Sequence, residues 1–126
     1  MSKRVLIADD SVLIRRMIAE VLTQAGWEVV GEASNGAEAV AQYRELNPDV
    51  VTLDIVMPGT DGIYALDGIL AINPNAKVIV VSALNQTKLI SDAIRKGAQD
   101  FIAKPFLPEQ LVETVSNCLC DAPVPA

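Results

Sequence analysis

Histidine is absent from the 126-residue chain. That removes the commonest general base near neutral pH and the commonest zinc ligand, so any chemistry must run on carboxylates, hydroxyls, lysine and, where one is bound, a metal. Cysteine is scarce, with only Cys118 and Cys120. They stand two apart in a stretch of helical spacing, where positions i and i+2 do not face each other, so a disulfide between them is not expected. They read as reduced thiols of a cytosolic protein. Basic runs are missing too, and nothing exceeds the pairs Lys3-Arg4, Arg15-Arg16 and Arg95-Lys96. With a net charge of −6 and an isoelectric point near 4.5, the chain does not fit a non-specific nucleic-acid binder. Long apolar runs are lacking as well. The longest nearly apolar stretch, Val78 to Leu84, is broken by Ser82 and falls far short of the roughly 20 residues that cross a bilayer. The N-terminus shows no basic start, apolar middle and small-residue cleavage site. These absences point to a cytoplasmic protein without a membrane partner.

What the chain does have is hydrophobicity in short pieces. Half of it is hydrophobic (51%) and its mean hydropathy is +0.32, in a length suited to one domain with a real core. Short apolar runs suggest strands buried on both faces. Arg4 to Ala8 reads as a first strand; Ile14, Met17, Ile18, Val21 and Leu22 then repeat at helical spacing up to Gly26. Glu28 to Glu32 is a second strand of mixed polarity, nearer an edge. Asn35 with Glu38 resembles a capping box opening a helix that ends before Asn47-Pro48. Val50 to Leu53, Lys77 to Val81 and Phe101 to Ala103 are further strands. Between and after them lie helices marked by Ile63, Leu66 and Leu70, by Leu89, Ile90, Ala93 and Ile94, and by Pro108, Leu111, Val115 and Leu119. Alternating strands and helices give βαβ units: an α/β fold with a parallel sheet and helices on both faces.

In such folds ligands sit outside the carboxyl ends of the strands. The polar residues that fall there are Asp9 and Asp10 after strand one, Asp54 after strand three, Ser82 at the end of strand four and Lys104 at the end of strand five. Three carboxylates in one cleft repel and need cations. Lys104 supplies one, and a hard divalent ion held by carboxylate and carbonyl oxygens is the natural second, magnesium fitting best and manganese next. An aspartate beside such an ion and a lysine is equipped to attack phosphorus and form an acyl phosphate. Ser82 is placed to hydrogen-bond a phosphoryl oxygen. Taken singly, each residue has a plainer reading: Asp9-Asp10 as helix caps, Asp54 as turn chemistry, Lys104 as a solvated loop lysine. Their joint placement on four strand ends carries the inference. Gly59 and Gly62, in the turn after strand three, can adopt positive φ and read as serving the backbone rather than a ligand. No role is assignable to Trp27 from its position alone.

The runs Val5-Leu6-Ile7-Ala8-Asp9-Asp10, Leu53 to Gly62, Val80-Val81-Ser82-Ala83 and Lys104-Pro105-Phe106 resemble the receiver domains of bacterial two-component response regulators, over about residues 3 to 120. The likeness is to the single-domain chemotaxis regulators of the CheY type. It implies a five-stranded doubly wound sheet of order 2-1-3-4-5 with five helices. It implies Asp54 as phosphoacceptor, with Asp9, Asp10, Asp54 and the Met57 carbonyl holding magnesium. Lys104 would contact the phosphoryl group, Ser82 would be the switch hydroxyl and Phe101 the switch aromatic. The Lys104-Pro105 peptide is commonly cis in this family. The implied partners are a histidine kinase as phosphodonor and a downstream effector met by the face of helix four, strand five and helix five. The receiver would span 1–120, with 121–126 as a flexible Pro/Ala-rich tail.

Residues flanking the phosphoryl site are Val56, Ala83 and Leu84. Val56 and Leu84 are apolar and cannot orient an attacking water, which predicts a long-lived phosphorylated form. Val56 also stands where a dehalogenase-type aspartyl-phosphate phosphatase wants a second Asp, so the chain reads as a switch with weak self-catalysed chemistry and not as an enzyme. A pseudo-receiver that never takes phosphate is disfavoured by the retention of the whole set. The alternative is a receiver fragment of a larger regulator with a DNA-binding or methylesterase output domain.

Overall fold

Strands rich in Val, Ile and Leu, each followed by an amphipathic helix, assemble in the order β1 (Arg4–Ala8), α1 (Val12–Gln24), β2 (Glu28–Ala33), α2 (Gly36–Leu46), β3 (Val50–Asp54), α3 (Gly62–Ile72), β4 (Val78–Ala83), α4 (Thr87–Lys96), β5 (Asp100–Lys104) and α5 (Pro108–Asn117), with a 3₁₀ turn at Leu84–Gln86. The computed structural model describes residues 3–57 and 62–119. The expected turn residues Pro58 to Asp61, Cys120 and the 121–126 tail lie outside the described residues, as does the side chain of Leu84. The sheet is wholly parallel with order β2-β1-β3-β4-β5, the doubly wound arrangement expected. Among the described residues, no helix is long and apolar enough to cross a membrane.

Side chains alternate between the two faces of each strand, so the sheet builds two cores. Leu6, Ala8, Val51, Leu53, Val78 and Val80 pack on one face against Ala39 and Tyr43 of α2, Leu66 and Ile69 of α3, and Ala93 of α4. Val5, Ile7, Val50, Ile79 and Ile102 pack on the other against Ile18 and Leu22 of α1 and Leu111, Val115 and Cys118 of α5. Trp27 joins this second core and is buried. Burial raises the Cys118 thiol to about 11, helped by Asp100 and opposed by Lys77, so it stays protonated and unreactive at neutral pH.

The helix ends follow local chemistry. Ser11 caps α1 by accepting from the Ile14 N–H, and Asn35 caps α2 by accepting from the Glu38 N–H. The Glu38 carboxylate reaches back one residue further than a capping box would, to the Ser34 N–H and hydroxyl, both at 2.8 Å. Gly97 closes α4 with φ +126°. Gly62 does not use the positive φ open to it, which among the glycines of the described residues is found at Gly26 and Gly97. Its requirement is proximity: a Cβ on Gly62 would collide with the Ile55 backbone and the Asp54 carbonyl oxygen, because the Gly62 N–H donates to the Ile55 carbonyl at 2.9 Å. The start of α3 is thereby pressed against the residue that follows Asp54.

Candidate functional site

The strands end together, and their carboxyl ends carry the polar residues into one cleft. Asp9 leaves β1 with its N–H donating to the Ala33 carbonyl of β2 at 2.9 Å. Its carboxylate is almost wholly buried and is used twice: Oδ1 accepts from the Ser11 N–H at 2.9 Å and Oδ2 from Lys104 Nζ at 3.1 Å. Asp54 is also buried. Its Oδ1 accepts from the Val56 N–H at 3.1 Å and its Oδ2 from Lys104 Nζ at 3.4 Å. Lys104, at the end of β5 and before a cis Lys104-Pro105 peptide, therefore bridges two carboxylates 45 residues apart in sequence. Asp10 is exposed, and its side chain makes no hydrogen bond or ion pair among the described residues. Even so, carboxylate oxygens of Asp9, Asp10 and Asp54 all lie within 4.8 Å of one another.

The electrostatics follow from that crowding. Burial pushes the Asp54 carboxyl up to about 6, against the Val56 N–H that favours its charge; Asp9 adds to the rise and Lys104 subtracts from it. Burial works against the charge on Lys104, yet the attraction of Asp54 and Asp9 prevails and holds its pKa above the ordinary lysine value. One ammonium set against three carboxylates leaves the cleft short of positive charge. A donor set of close carboxylate oxygens with no nitrogen or sulfur suits a hard divalent cation.

The remaining expected residues are placed less tightly. Ser82 is buried on β4, one residue before the strand ends at Ala83, and its hydroxyl donates to the Ala83 carbonyl at 3.3 Å rather than to any member of the cleft. Met57 follows β3 with its side chain in the α2–α3–α4 core. Val56 is half exposed beside Asp54, and Ala83 is exposed at the end of β4. Phe101 faces outward on β5, 42% exposed. It closes one side of a cavity of about 500 Å³ between β5 and α4, lined also by Thr87, Ile90, Ser91, Ile94 and Arg95. Among the described residues, the Ser82 side chain thus makes no hydrogen bond to the charged cluster, and Phe101 lines a cavity whose other lining residues belong to α4.

Two residues of the site had no place in the sequence expectations. Arg15 of α1 donates from a terminal guanidinium nitrogen to the Asp9 carbonyl at 2.7 Å and from Nε to Glu32 Oε1 of β2 at 3.0 Å. In sequence it is merely half of a short basic pair. The one available signal is its position a turn and a half past Asp9 on the helix that the Asp9-Asp10 turn begins.

Comparison with known proteins agrees with this geometry. The model of the family described as "Response regulator receiver domain" matches residues 5–116. The chain is 53% identical over 117 residues to chemotaxis protein CheY of Thermotoga maritima, covering 93% of this chain and 98% of that one. It is 47% identical over 119 residues to chemotaxis protein CheY of Bacillus subtilis, covering 94% and 99%. Among solved structures, CheY in a CheX–CheY–BeF3–Mg complex from Borrelia burgdorferi superposes with a TM-score of 0.87 at 39% identity, covering 92% of this chain and 88% of that one. A buried Asp–Lys–Asp bridge at the mouth of a 2-1-3-4-5 sheet, in a sequence that the family model matches over nearly its whole length, has one consistent explanation: the chain belongs to the response regulator receiver domains, a family of phosphoacceptor switches.

Proposed function

We propose that Asp54 is the phosphoacceptor of this receiver and that its phosphodonor is a histidine kinase. The observation that supports this most directly is the Lys104 ammonium, 3.1 Å from Asp9 and 3.4 Å from Asp54. It stands beside the Asp54 oxygen that a phosphoryl group would join. An Asp54 oxygen attacks phosphorus, the phosphorus–nitrogen bond of the phosphohistidine breaks, and its electron pair leaves with the imidazole. Lys104 then meets the charge on the transferred oxygens. Asp9, Asp10, Asp54 and the Met57 carbonyl would hold magnesium, with manganese as a substitute. Bound there, the ion would neutralise the phosphoryl oxygens and relieve the carboxylate crowding. The Val56 N–H fixes the second Asp54 oxygen and leaves Oδ2 as the nucleophile.

Phosphate on Asp54 adds charge and strong acceptors close to β4. Ser82 then exchanges its weak bond to the Ala83 carbonyl for a phosphoryl oxygen, and the outward Phe101 turns into the space released. The α4–β5–α5 face changes shape and with it the affinity for an effector protein or a fused output domain. The protein works as a switch with weak self-catalysed gain and loss of phosphate, not as a turnover enzyme, and this domain takes no nucleic acid. The receiver unit spans 1–120, with 121–126 outside it. Identities of 47% and 53% to proteins named for chemotaxis favour a chemotaxis-type pathway in the cytoplasm.

The test is incubation with acetyl phosphate and Mg²⁺ followed by intact mass. The wild type should gain one phosphoryl group and Asp54→Asn none. Equal labelling of both proteins would remove Asp54 from the role.

A further inference from the structure

Asp9 is gripped at every polar atom it has. Its N–H is bound by the Ala33 carbonyl, its two carboxylate oxygens by the Ser11 N–H and Lys104, and its carbonyl by Arg15 at 2.7 Å. Asp10 is held by none of these directly. Its carboxylate has no partner among the described residues, yet it must sit with Asp9 and Asp54 inside the 4.8 Å cluster. What fixes Asp10 is the peptide that precedes it, and the oxygen of that peptide is the one Arg15 binds.

We infer that Arg15 and Glu32 form a clasp that positions Asp10 for the divalent cation. The Arg15 side chain is only 15% exposed, and Nε meets Glu32 Oε1 at 3.0 Å. Glu32 belongs to β2, so the clasp ties the β1–α1 turn to the neighbouring strand. An arginine this close to an acidic cluster would be expected to neutralise it. Here its planar fork is divided between a backbone carbonyl and a carboxylate outside the cluster, and the Asp10 carboxylate is left for the ion. Glu32 thereby has two effects: it orients the guanidinium, and it offsets the charge that would otherwise compete with a cation for the cleft. Glu38 of α2 also lies in the field of this arginine, but its carboxyl is held below the ordinary glutamate value first by its hydrogen bonds from Ser34.

This inference rests on the reading of the cleft as a cation-assisted phosphoacceptor site, and calorimetric titration with Mg²⁺ alone separates the two. Wild-type protein that takes up no Mg²⁺ in the millimolar range would defeat the parent reading. If the wild type binds, Arg15→Ala should bind about 10-fold more weakly, the usual scale for losing a group that orients a metal ligand. Arg15→Lys, which keeps one of the two bonds, should fall between. Glu32→Gln should weaken binding less than Arg15→Ala, and it serves as the second variant should Arg15→Ala fold poorly. In acetyl phosphate labelling, saturating Mg²⁺ should restore the Arg15→Ala rate to that of the wild type, moving the half-saturating Mg²⁺ concentration and not the maximal rate. Unchanged Mg²⁺ affinity in Arg15→Ala and Glu32→Gln, even with lowered thermal stability, would reduce the clasp to a structural contact and overturn the inference.

Discussion

The cleft and the α4–β5 face meet on β5, where Lys104 and Phe101 stand three residues apart, and they are held in opposite ways. In the cleft, Asp9, Asp54 and Lys104 are buried or half-buried and bonded to one another and to backbone N–H groups. On the face, Phe101 and Ile94 are exposed apolar side chains beside an open cavity. The cleft is specified by charge and is costly to disturb; the face is specified by little and is inexpensive to rearrange. A switch needs both: a rigid place to receive a charge and a yielding place to display the result. Ser82 lies on β4, between β3 and β5 in the sheet, and among the described residues its hydroxyl makes only a 3.3 Å bond to the carbonyl of its own neighbour.

The contrast is broken most severely at Lys104. Lys104→Met leaves Asp9 and Asp54 buried beside each other without their shared cation. Removing one member of a buried charged set typically costs about 3 kcal/mol, and urea unfolding of the metal-free protein at neutral pH should show a loss of that order. Added Mg²⁺ should recover much of it, since the ion restores the missing charge. A loss of the same size with and without Mg²⁺ would mean that the lysine acts through packing alone.

Asp54 gives the next largest effect, and with the opposite sign. Its carboxyl is raised from 3.8 to about 6, first by burial. Between those values the folded state keeps a proton that the unfolded chain has released, so stability of the metal-free fold falls as pH rises through that window. Below the unfolded value the contribution is fully present; above about 6 it is gone. Asp54→Asn cannot lose that proton. It should therefore be more stable than the wild type by about 2 kcal/mol at pH 7, a difference that vanishes as the pH is taken below the unfolded value of 3.8. Denaturation across that pH range checks the sign directly, and a variant less stable at pH 7 would refute it.

At the face the same kind of substitution should scarcely register in stability. Phe101→Ala removes a side chain that is 42% exposed, at a cost under about 1 kcal/mol. Its effect belongs to coupling. With beryllofluoride as the phosphoryl mimic, the wild type should bind its effector about 10-fold more tightly than without, a coupling of about 1.4 kcal/mol, and Phe101→Ala should lose most of that difference. Full retention would place the relay elsewhere than Phe101.

The two regions also differ in how far the sequence discloses them. The cleft was legible because the chemistry needs particular residue types at strand ends, and a parallel sheet brings strand ends together: Asp9, Asp10, Asp54 and Lys104 all stand where the alternation of apolar runs puts them. The clasp was not legible. Arg15 binds a backbone carbonyl, which any residue supplies, and its side-chain partner Glu32 lies on another strand at a spacing that follows no helical or strand period. Gly62 shows the same limit in another form. Its presence in a turn suggested a positive φ, whereas the cause is the nearness of the Ile55 backbone, a tertiary contact with no local signature. Ser82 was placed at the right strand end, but its present hydrogen bond to Ala83 depends on a rotamer choice that sequence does not encode.

Val56 offers the smallest and sharpest test, because it belongs to the cleft by position and to the solvent by exposure. It is 50% exposed, and its N–H is committed to Asp54 Oδ1. The side chain has no polar atom with which to orient a water, so an acyl phosphate formed on Asp54 would hydrolyse without that help. Val56→Gln places an amide at the same exposed position. One added hydrogen bond to the attacking water is worth about 1 kcal/mol, which converts to about a fivefold faster loss of phosphate. The check is the decay of the phosphorylated species by intact mass after removal of the donor. Because the main-chain bond to Asp54 survives the substitution, the gain of phosphate should stay near the wild-type rate while its loss accelerates. An unaltered decay would mean that the residue at position 56 does not set the lifetime of the phosphate.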